Sequence, residues 1–565
     1  MNPMNPHDHR NKIFLARYIY PVLPLSGMVI LLCMILIHII RQGVSLSTVE
    51  KISYLLMILI AVVLIFGGFW VSTQSGIRAV TKILGVPESS MVDRKERRSY
   101  RILNLLLVLG AYCTIFLFSV DTKIAVYNLD VARAFNDTPG YIETGSYSLL
   151  DRNFWIGDRP FTLPLFYKLV GYHQSNMTDQ GEMERVGEIQ LILSIISWTL
   201  LAFSASITMS KWLLRFLVFG IILMLGASIN ITYWDRLMLS DSLSNSLFLL
   251  FLTLFILSAE IWSKRTRLSV WMQVLVVFCL VISATFYSFV RDPNGLILLA
   301  FGGLMALGLL HPVVRKHVLV ISYSVVMISF FVVFGIQTAT ANLNGRYTAS
   351  LEHVFVYRFF PDDERLGYLL EKGLPYKDQF SSYFMLDLRQ LTERLSIDDP
   401  DGNFHIWVKS IGKNVLLSYI LTNPGYTFLA PFGDLQALTN GYSVWYRKIL
   451  VPPPIRIKLL SEVFYPRFVY LPFFFLLLSI FSMLLVYKNR PDVLSILTLI
   501  LFLISVPFLM FVWHSDSNDL ERHSLQAAIQ LRLASWLCIV LLIERGSLLF
   551  AGARERIRLK RAKHV

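Results

Sequence analysis

Apolar runs of about spanning length recur through the chain, and they limit its possible folds more than any other feature. A bilayer's hydrocarbon core takes about 20 apolar residues of helix. Inside it only helices and closed barrels satisfy every backbone polar group. Twelve runs meet that length, at 20–40, 52–73, 102–120, 188–208, 212–230, 242–262, 270–290, 294–311, 318–339, 467–487, 492–513 and 525–546. Hydrophobic residues make up 55% of the chain and charged residues 16%, too little charge to cover a soluble protein of 565 residues. The expected fold class is therefore an all-α polytopic membrane protein of about 12 transmembrane helices. The first run is of full spanning length and lacks a small-residue cleavage site, so it reads as a retained helix. Cys33, Cys113, Cys279 and Cys538 all sit in apolar runs, a pattern that predicts neither disulfide nor metal cluster.

Orientation follows from the lysines and arginines. They cluster at 10–17, 94–101, 264–267, 315–316, 488–490 and 554–563, which all fall on one side of a twelve-span chain. Basic loops stay cytoplasmic, so both termini are expected inside. The net charge of +14 is then a topology signal, and no nucleic acid is expected as a partner. Two large loops face outward, 121–187 and 340–466. The chain divides into an N-terminal tail, two-helix extension and basic loop (1–101), a membrane core with the first outer loop (102–339), an outer subdomain (340–466) and a C-terminal three-helix segment with a basic tail (467–565). Long outer loops add nothing to spanning stability; their use is binding or chemistry.

Charged residues predicted near the outer surface include Asp121, Asp137, Glu143, Asp235, Asp241 and Asp292, with Arg159, Arg236, Arg291, Arg522 and His523. Transfer of a sugar from a lipid phosphate to a hydroxyl needs a carboxylate to take the proton. It also needs cations to hold the phosphate as charge develops. Asp137 is the candidate base, with Tyr141 at i+4 on the same helical face. Asp241, at the start of a span, is the candidate second acid. Helix capping is the alternative for each acid, by Asp137 or Thr138 in the first case and by Ser240 or Asp241 in the second. Arg291 and the pair Arg522-His523 are candidate phosphate clamps, because a guanidinium fork matches phosphate oxygens. An ordinary turn with an Arg291–Asp292 pair is the alternative. Arg159 is a further candidate, the alternative being a loop salt bridge to Asp151 or Asp158. Trp445 and Tyr446 read as rings of a membrane-interface belt.

The run Asp137-Thr-Pro-Gly-Tyr141, followed by Gly157-Asp-Arg-Pro160-Phe-Thr-Leu-Pro164, resembles the signature of the GT-C class of integral-membrane glycosyltransferases. That class includes the protein O-mannosyltransferases and the lipid A aminoarabinose transferase. Leu239-Ser-Asp241-Ser-Leu243 resembles its later Thr–Glu element, with Asp in place of Glu. The resemblance implies an inverting transferase of GT-C-like fold, with Asp137 as its base and a polyprenyl-phosphate sugar as donor. It further implies a lipid, glycan or protein acceptor and a site at the outer face of the plasma membrane. It leaves a divalent cation, Mg or Mn, open; the residues offer no compact acidic cluster for one. In the class the signature loop follows the first span; here two additional spans, 20–40 and 52–73, stand before the one that leads into it.

Two other readings stand beside this one. O-antigen ligases and polymerases also have about twelve spans and a late outer loop, and rely on Arg and His, which Arg522-His523 would supply. A lipid or glycan transporter would carry charges deep in its spans, repeated halves and short loops. The runs here are nearly uncharged and the loops unequal.

Overall fold

Hydroxyl side chains inside the apolar runs turn back onto their own helix, so the helices carry them into an environment without water. Thr114, Ser197, Thr199, Thr253, Thr285, Ser329, Thr498 and Ser505 each donate to the carbonyl one turn earlier. The computed structural model describes residues 94–562 apart from 136, 174–177, 210–211, 263–268, 311–318, 377–382, 384–385, 387, 442–445, 447–451, 467–492 and 518. The expected spans at 20–40, 52–73 and 467–487 lie outside the described residues, as do Trp445 and the side chains of the basic clusters used for orientation.

The protein is a polytopic helical membrane protein. Its principal helices are α1 (Arg94–Tyr127), α2 (Thr138–Ser146), α3 (Thr162–Val170), α4 (Gln180–Thr208), α5 (Trp212–Gly226), α6 (Ser240–Trp262), α7 (Val270–Ser288), α8 (Asn294–Leu310) and α9 (Val320–Leu343). They continue with α10 (Lys413–Thr422), α11 (Pro424–Phe428), α12 (Leu435–Asn440), α13 (Val493–Ser515), α14 (Leu520–His523) and α15 (Leu525–Ala562). Among the described residues seven helices are long and apolar enough to cross a membrane. An eighth crossing is formed if Leu213–Gly226 and Ile229–Arg236, bent by 50° at their junction, act as one. The run expected at 294–311 forms the shorter helix α8. Nine of the twelve expected runs thus fall on described helices.

Two boundaries differ from expectation. Helix α1 runs on to Tyr127, so Asp121 lies on a helix and the first outer segment starts later than 121. The run 212–230 breaks at Ala227–Ser228, where Ser228 is extended. The break leaves the Gly226 carbonyl without its helical partner, and two side chains replace it: Lys123 Nζ at 2.9 Å and Thr232 Oγ1 at 3.2 Å. Lys123 also pairs with Asp235 at 3.2 Å and donates to Ser194 at 2.8 Å. All the charge of this inserted cluster is therefore matched below the surface.

Aromatic rings fill the core where α6, α7, α8 and α9 meet. Phe251 stacks on Tyr287 and meets Phe301 and Phe330 edge-on, and Phe255 meets Phe301. The outward faces of the same helices remain apolar: Trp271 is 83% exposed, Ile321 82% and Val332 52%. Such a surface is stable against lipid tails, not water. The described parts of segment 344–466 form short helices, among them Asp363–Glu371 and Leu388–Asp398.

Candidate active site

Backbone pairing brings the two candidate acids together. Extended residues after α1 run parallel to the stretch before α6, bridged at Arg133 and Leu237. Arg133 N donates to Arg236 O at 3.1 Å, and Met238 N donates to Arg133 O at 2.8 Å. In a parallel register, residues equally far beyond the bridge stay neighbours, and Asp137 and Asp241 are each four residues beyond it. Thr138 Oγ1 secures the pairing by donating to Met238 O at 2.8 Å. A second tie locates the arginines. Thr162, at the start of α3, donates through its N–H to Phe289 O and through its hydroxyl to Phe286 O at the end of α7. Arg159 and Arg291, just outside that tie, come to the same place.

Arg522 joins the halves. Its Nη1 lies 2.9 Å from Asp137 Oδ2 and its Nε 3.0 Å from Asp241 Oδ2. The other oxygen of Asp137 accepts from Arg159 Nη2 at 3.0 Å, and the other oxygen of Asp241 from Arg291 Nη1 at 2.7 Å. Arg291 Nη2 is 3.3 Å from His523 Nδ1, and His523 Nε2 is 3.4 Å from Asp516. A guanidinium can only donate, so Nδ1 accepts and the imidazole proton sits on Nε2, toward Asp516. The Arg159 guanidinium stands over the Tyr141 ring, 5.0 Å from its centre. Gly140 leaves room for this approach, since a Cβ there would meet Arg159 Nε at 3.0 Å.

All seven candidate residues thus converge: Asp137, Tyr141, Arg159, Asp241, Arg291, Arg522 and His523. Capping does not account for the acids. The Asp137 side chain makes no cap hydrogen bond to α2, and both oxygens of Asp241 are taken by arginines. Nor do the local pairings hold: Arg291 goes to Asp241 and not Asp292, and Arg159 goes to Asp137 and not Asp151 or Asp158. The remaining charges occupy separate pairs, Asp235 with Lys123, Arg236 with Glu184, Asp292 with Arg346 and Asp121 with Arg456, while Glu143 is exposed.

Three residues belong to the site that sequence reasoning did not find. Tyr446, read as an interface ring, donates its hydroxyl to Asp519 and lies 3.4 Å from Arg522 Nη1. Asp519 is itself 3.7 Å from Arg522. Asp516 holds His523. The signal was present in the acidic stretch Asp516-Ser-Asn-Asp519 immediately before Arg522.

Electrostatics fixes the protonation states. Burial alone would raise the Asp137 carboxyl, but Arg522 and Arg159 outweigh it and hold it well below the usual carboxylate range. Burial would lower Arg522, but Asp241 and Asp137 outweigh it and keep it fully charged. His523 is pushed down by burial, more than Asp516 can raise it, and so is neutral near pH 7. Asp241 is 1% exposed and Arg522 6%, whereas Asp137 and Arg159 are each 34% exposed. The site therefore has a closed inner pair and an accessible outer one.

No family model and no curated protein matches the chain. Among solved structures, it is similar to the archaeal oligosaccharyltransferase AglB from Archaeoglobus fulgidus, solved with an inhibitory peptide and a dolichol-phosphate. The TM-score is 0.40 and the identity 12%, over 79% of this chain and 52% of that one. It is likewise similar to the Archaeoglobus fulgidus oligosaccharyltransferase tethered through a disulfide bond to an acceptor peptide containing the NVT sequon. There the TM-score is 0.39 and the identity 13%, over 78% of this chain and 50% of that one. The chain spans about half the length of these two oligosaccharyltransferases.

Proposed function

We propose that the protein is a GT-C-like membrane glycosyltransferase. It moves a sugar, with inversion, from a polyprenyl-phosphate donor to a hydroxyl of a lipid, glycan or protein acceptor at the extracytoplasmic face. One observation carries this reading: three arginines and two aspartates from five separate segments converge on a partly open site, with Arg522 shared between the acids. A donor phosphate competes with the Asp137 carboxylate for Arg159 and Arg522. Phosphate oxygens match the guanidinium fork, so the arginines turn to the donor. Asp137 then loses the charges that suppress its basicity and regains affinity for a proton. It takes the proton of the acceptor hydroxyl as the acceptor oxygen bonds to the anomeric carbon. The bond from that carbon to the phosphate oxygen breaks, and its electron pair leaves on the lipid phosphate, held by the arginines. Asp241 remains paired with Arg291 throughout and orients Arg522. The lipid tail lies along the apolar outer faces of the helices.

A divalent cation does not fit the residues as arranged. Each aspartate oxygen is engaged by an arginine, and Arg522 is shared between the two carboxylates, so the donor set as arranged already carries its matching positive charge. The His523–Arg291 contact favours the ligase or polymerase reading as the second one, since those enzymes rely on the same residue types.

The test compares envelope glycans by mass spectrometry in cells lacking the protein and cells supplied with equal amounts of wild type or Asp137→Asn. A sugar mass present with wild type and reduced about 10²- to 10⁴-fold in rate of appearance with Asp137→Asn supports the base. An unchanged glycan in Asp137→Asn, together with loss in His523→Ala, moves the assignment to the ligase or polymerase. No glycan change on removing the protein altogether overturns the transferase reading.

A further inference from the structure

The outer segment contains a stretch that neither the membrane helices nor the site accounts for. From Asn414 through Gly433 there is no charged residue, yet Pro424 and Gly425 prevent one spanning helix. The stretch folds as α10, α11 and a short 3-10 turn at Ala430–Asp434. One face packs inward. Tyr426 is buried against Trp513 and His514 in the last turn of α13, with ring centres 5.3 and 5.2 Å away. The other face carries Leu417, Leu421, Phe428, Leu429 and Phe432, exposed at 52%, 74%, 61%, 70% and 48%. These exposures match those of the outward side chains on the spanning helices.

A contiguous exposed apolar face of this kind is unstable in water. The backbone at the helix break points the same way. The Tyr419 carbonyl accepts from Asn423 N at 2.9 Å and from Asn423 Nδ2 at 3.0 Å. Thr427 Oγ1 donates to Ile420 O and Asn423 O, and Thr427 O faces His514 Nε2 at 3.0 Å. Leu429 N donates to Gly425 O at 2.9 Å, and Phe432 N to Leu429 O at 3.1 Å. A loop in water leaves such groups to solvent; backbone in lipid must satisfy them internally. Asp434, the first charge after the stretch, is tied to Trp513 Nε1 at 2.7 Å at the end of a spanning helix.

We propose that residues 414–433 form a re-entrant element embedded in the bilayer leaflet beside the active site, with lipid acyl chains covering Leu421, Phe428 and Leu429. The element lies against the end of α13 from which the chain continues to Arg522 and His523. It passes directly into α12, which packs on α14, the turn that carries those two residues. Lipid contact at Leu429 is thus coupled mechanically to the arginine shared by the two acids. The inference needs only the membrane placement of the helices and stands apart from the transfer chemistry.

The test uses the full chain in phosphatidylcholine nanodiscs, with nitroxide labels at Leu421→Cys and Leu429→Cys in a variant whose four native cysteines are alanine. Val332→Cys serves as the lipid reference and Asp401→Cys as the water reference. The expected result is oxygen accessibility like that of Val332 and little collision with a water-soluble nickel chelate. Chelate accessibility like that of Asp401 overturns the proposal, as does shielding from both reagents, which would mean a protein partner or second copy. A second measurement keeps the native cysteines: benzoylphenylalanine in place of Leu429, irradiated in the same nanodiscs. Lipid adducts in the intact mass are expected; adducts to protein alone, or none, overturn the proposal.

Discussion

Arg522 gives one guanidinium two carboxylates to hold, through Nε to Asp241 and Nη1 to Asp137. Only a planar fork can do this, because a lysine ammonium is a point charge on a flexible stem. Arg522→Lys is therefore expected to lower transfer by about 10²- to 10³-fold, the usual effect of losing one donor aimed at developing charge. The fold should survive, since Arg291 still holds Asp241; turnover like wild type would show that the fork plays no part. The same contacts set an acid limb. The Asp137 carboxyl is depressed in the folded protein, so its stabilisation is fully present above the ordinary carboxylate value of about 4 and is lost as pH falls below it. Thermal unfolding of wild type should weaken more steeply than that of Asp137→Asn below about pH 4. Parallel curves would mean that the arginines do not hold Asp137. Asp137, Arg159 and Asp241 were legible because short polar motifs stand out between apolar runs. Tyr446 was not, since an aromatic residue near a span end fits an interface belt equally well, and only its contact with Asp519 and Arg522 distinguishes the two.

At the scale of elements, apolar run length gave helix positions well, because burial in lipid leaves the backbone little choice. It could not give the parallel bridge at Arg133 and Leu237, which aligns Asp137 with Asp241 across 104 residues of sequence. One backbone pairing between distant segments leaves no periodic trace. Nor could it give the break at 227–228, since Gly226-Ala-Ser228 is an unremarkable stretch within a long run. The break depends on Lys123 and Asp235, a pair 4% and 3% exposed between spans. Removing one partner strands the other charge, which typically costs about 3–5 kcal/mol. Lys123→Met alone and Asp235→Leu alone should each destabilise the protein strongly, whereas the double variant should recover most of the loss. Additive losses in the double variant, measured by thermal unfolding in nanodiscs, would show that the two charges do not stabilise each other. The Gly226 carbonyl keeps Thr232 as a partner in every variant.

Across the whole molecule, chain direction explains why the site is assembled from span ends. Asp137 follows α1, Asp241 opens α6, Arg291 follows α7, and Arg522 lies between α13 and α15. Alternate crossings return the chain to one end of the bundle, so residues at every second junction can meet there whatever their separation in sequence. The sequence placed the site residues on one side by the same count, using the basic clusters on the other side as the reference. Absolute orientation is the prediction those clusters make: basic loops stay cytoplasmic, so the site and segment 344–466 are expected to face out and both termini to face the cytoplasm. An epitope inserted at the exposed turn 400–402 should be reached by antibody in intact spheroplasts. The same epitope fused after Val565 should be reached only after permeabilisation. The reverse pattern would put the site on the cytoplasmic face, where a donor displayed in the outer leaflet could not reach Arg159 and Arg522, and it would overturn the extracytoplasmic transferase reading. Labelling of both epitopes in intact spheroplasts would mean an odd number of crossings between residue 401 and the C-terminus is wrong, and with it the span expected at 467–487.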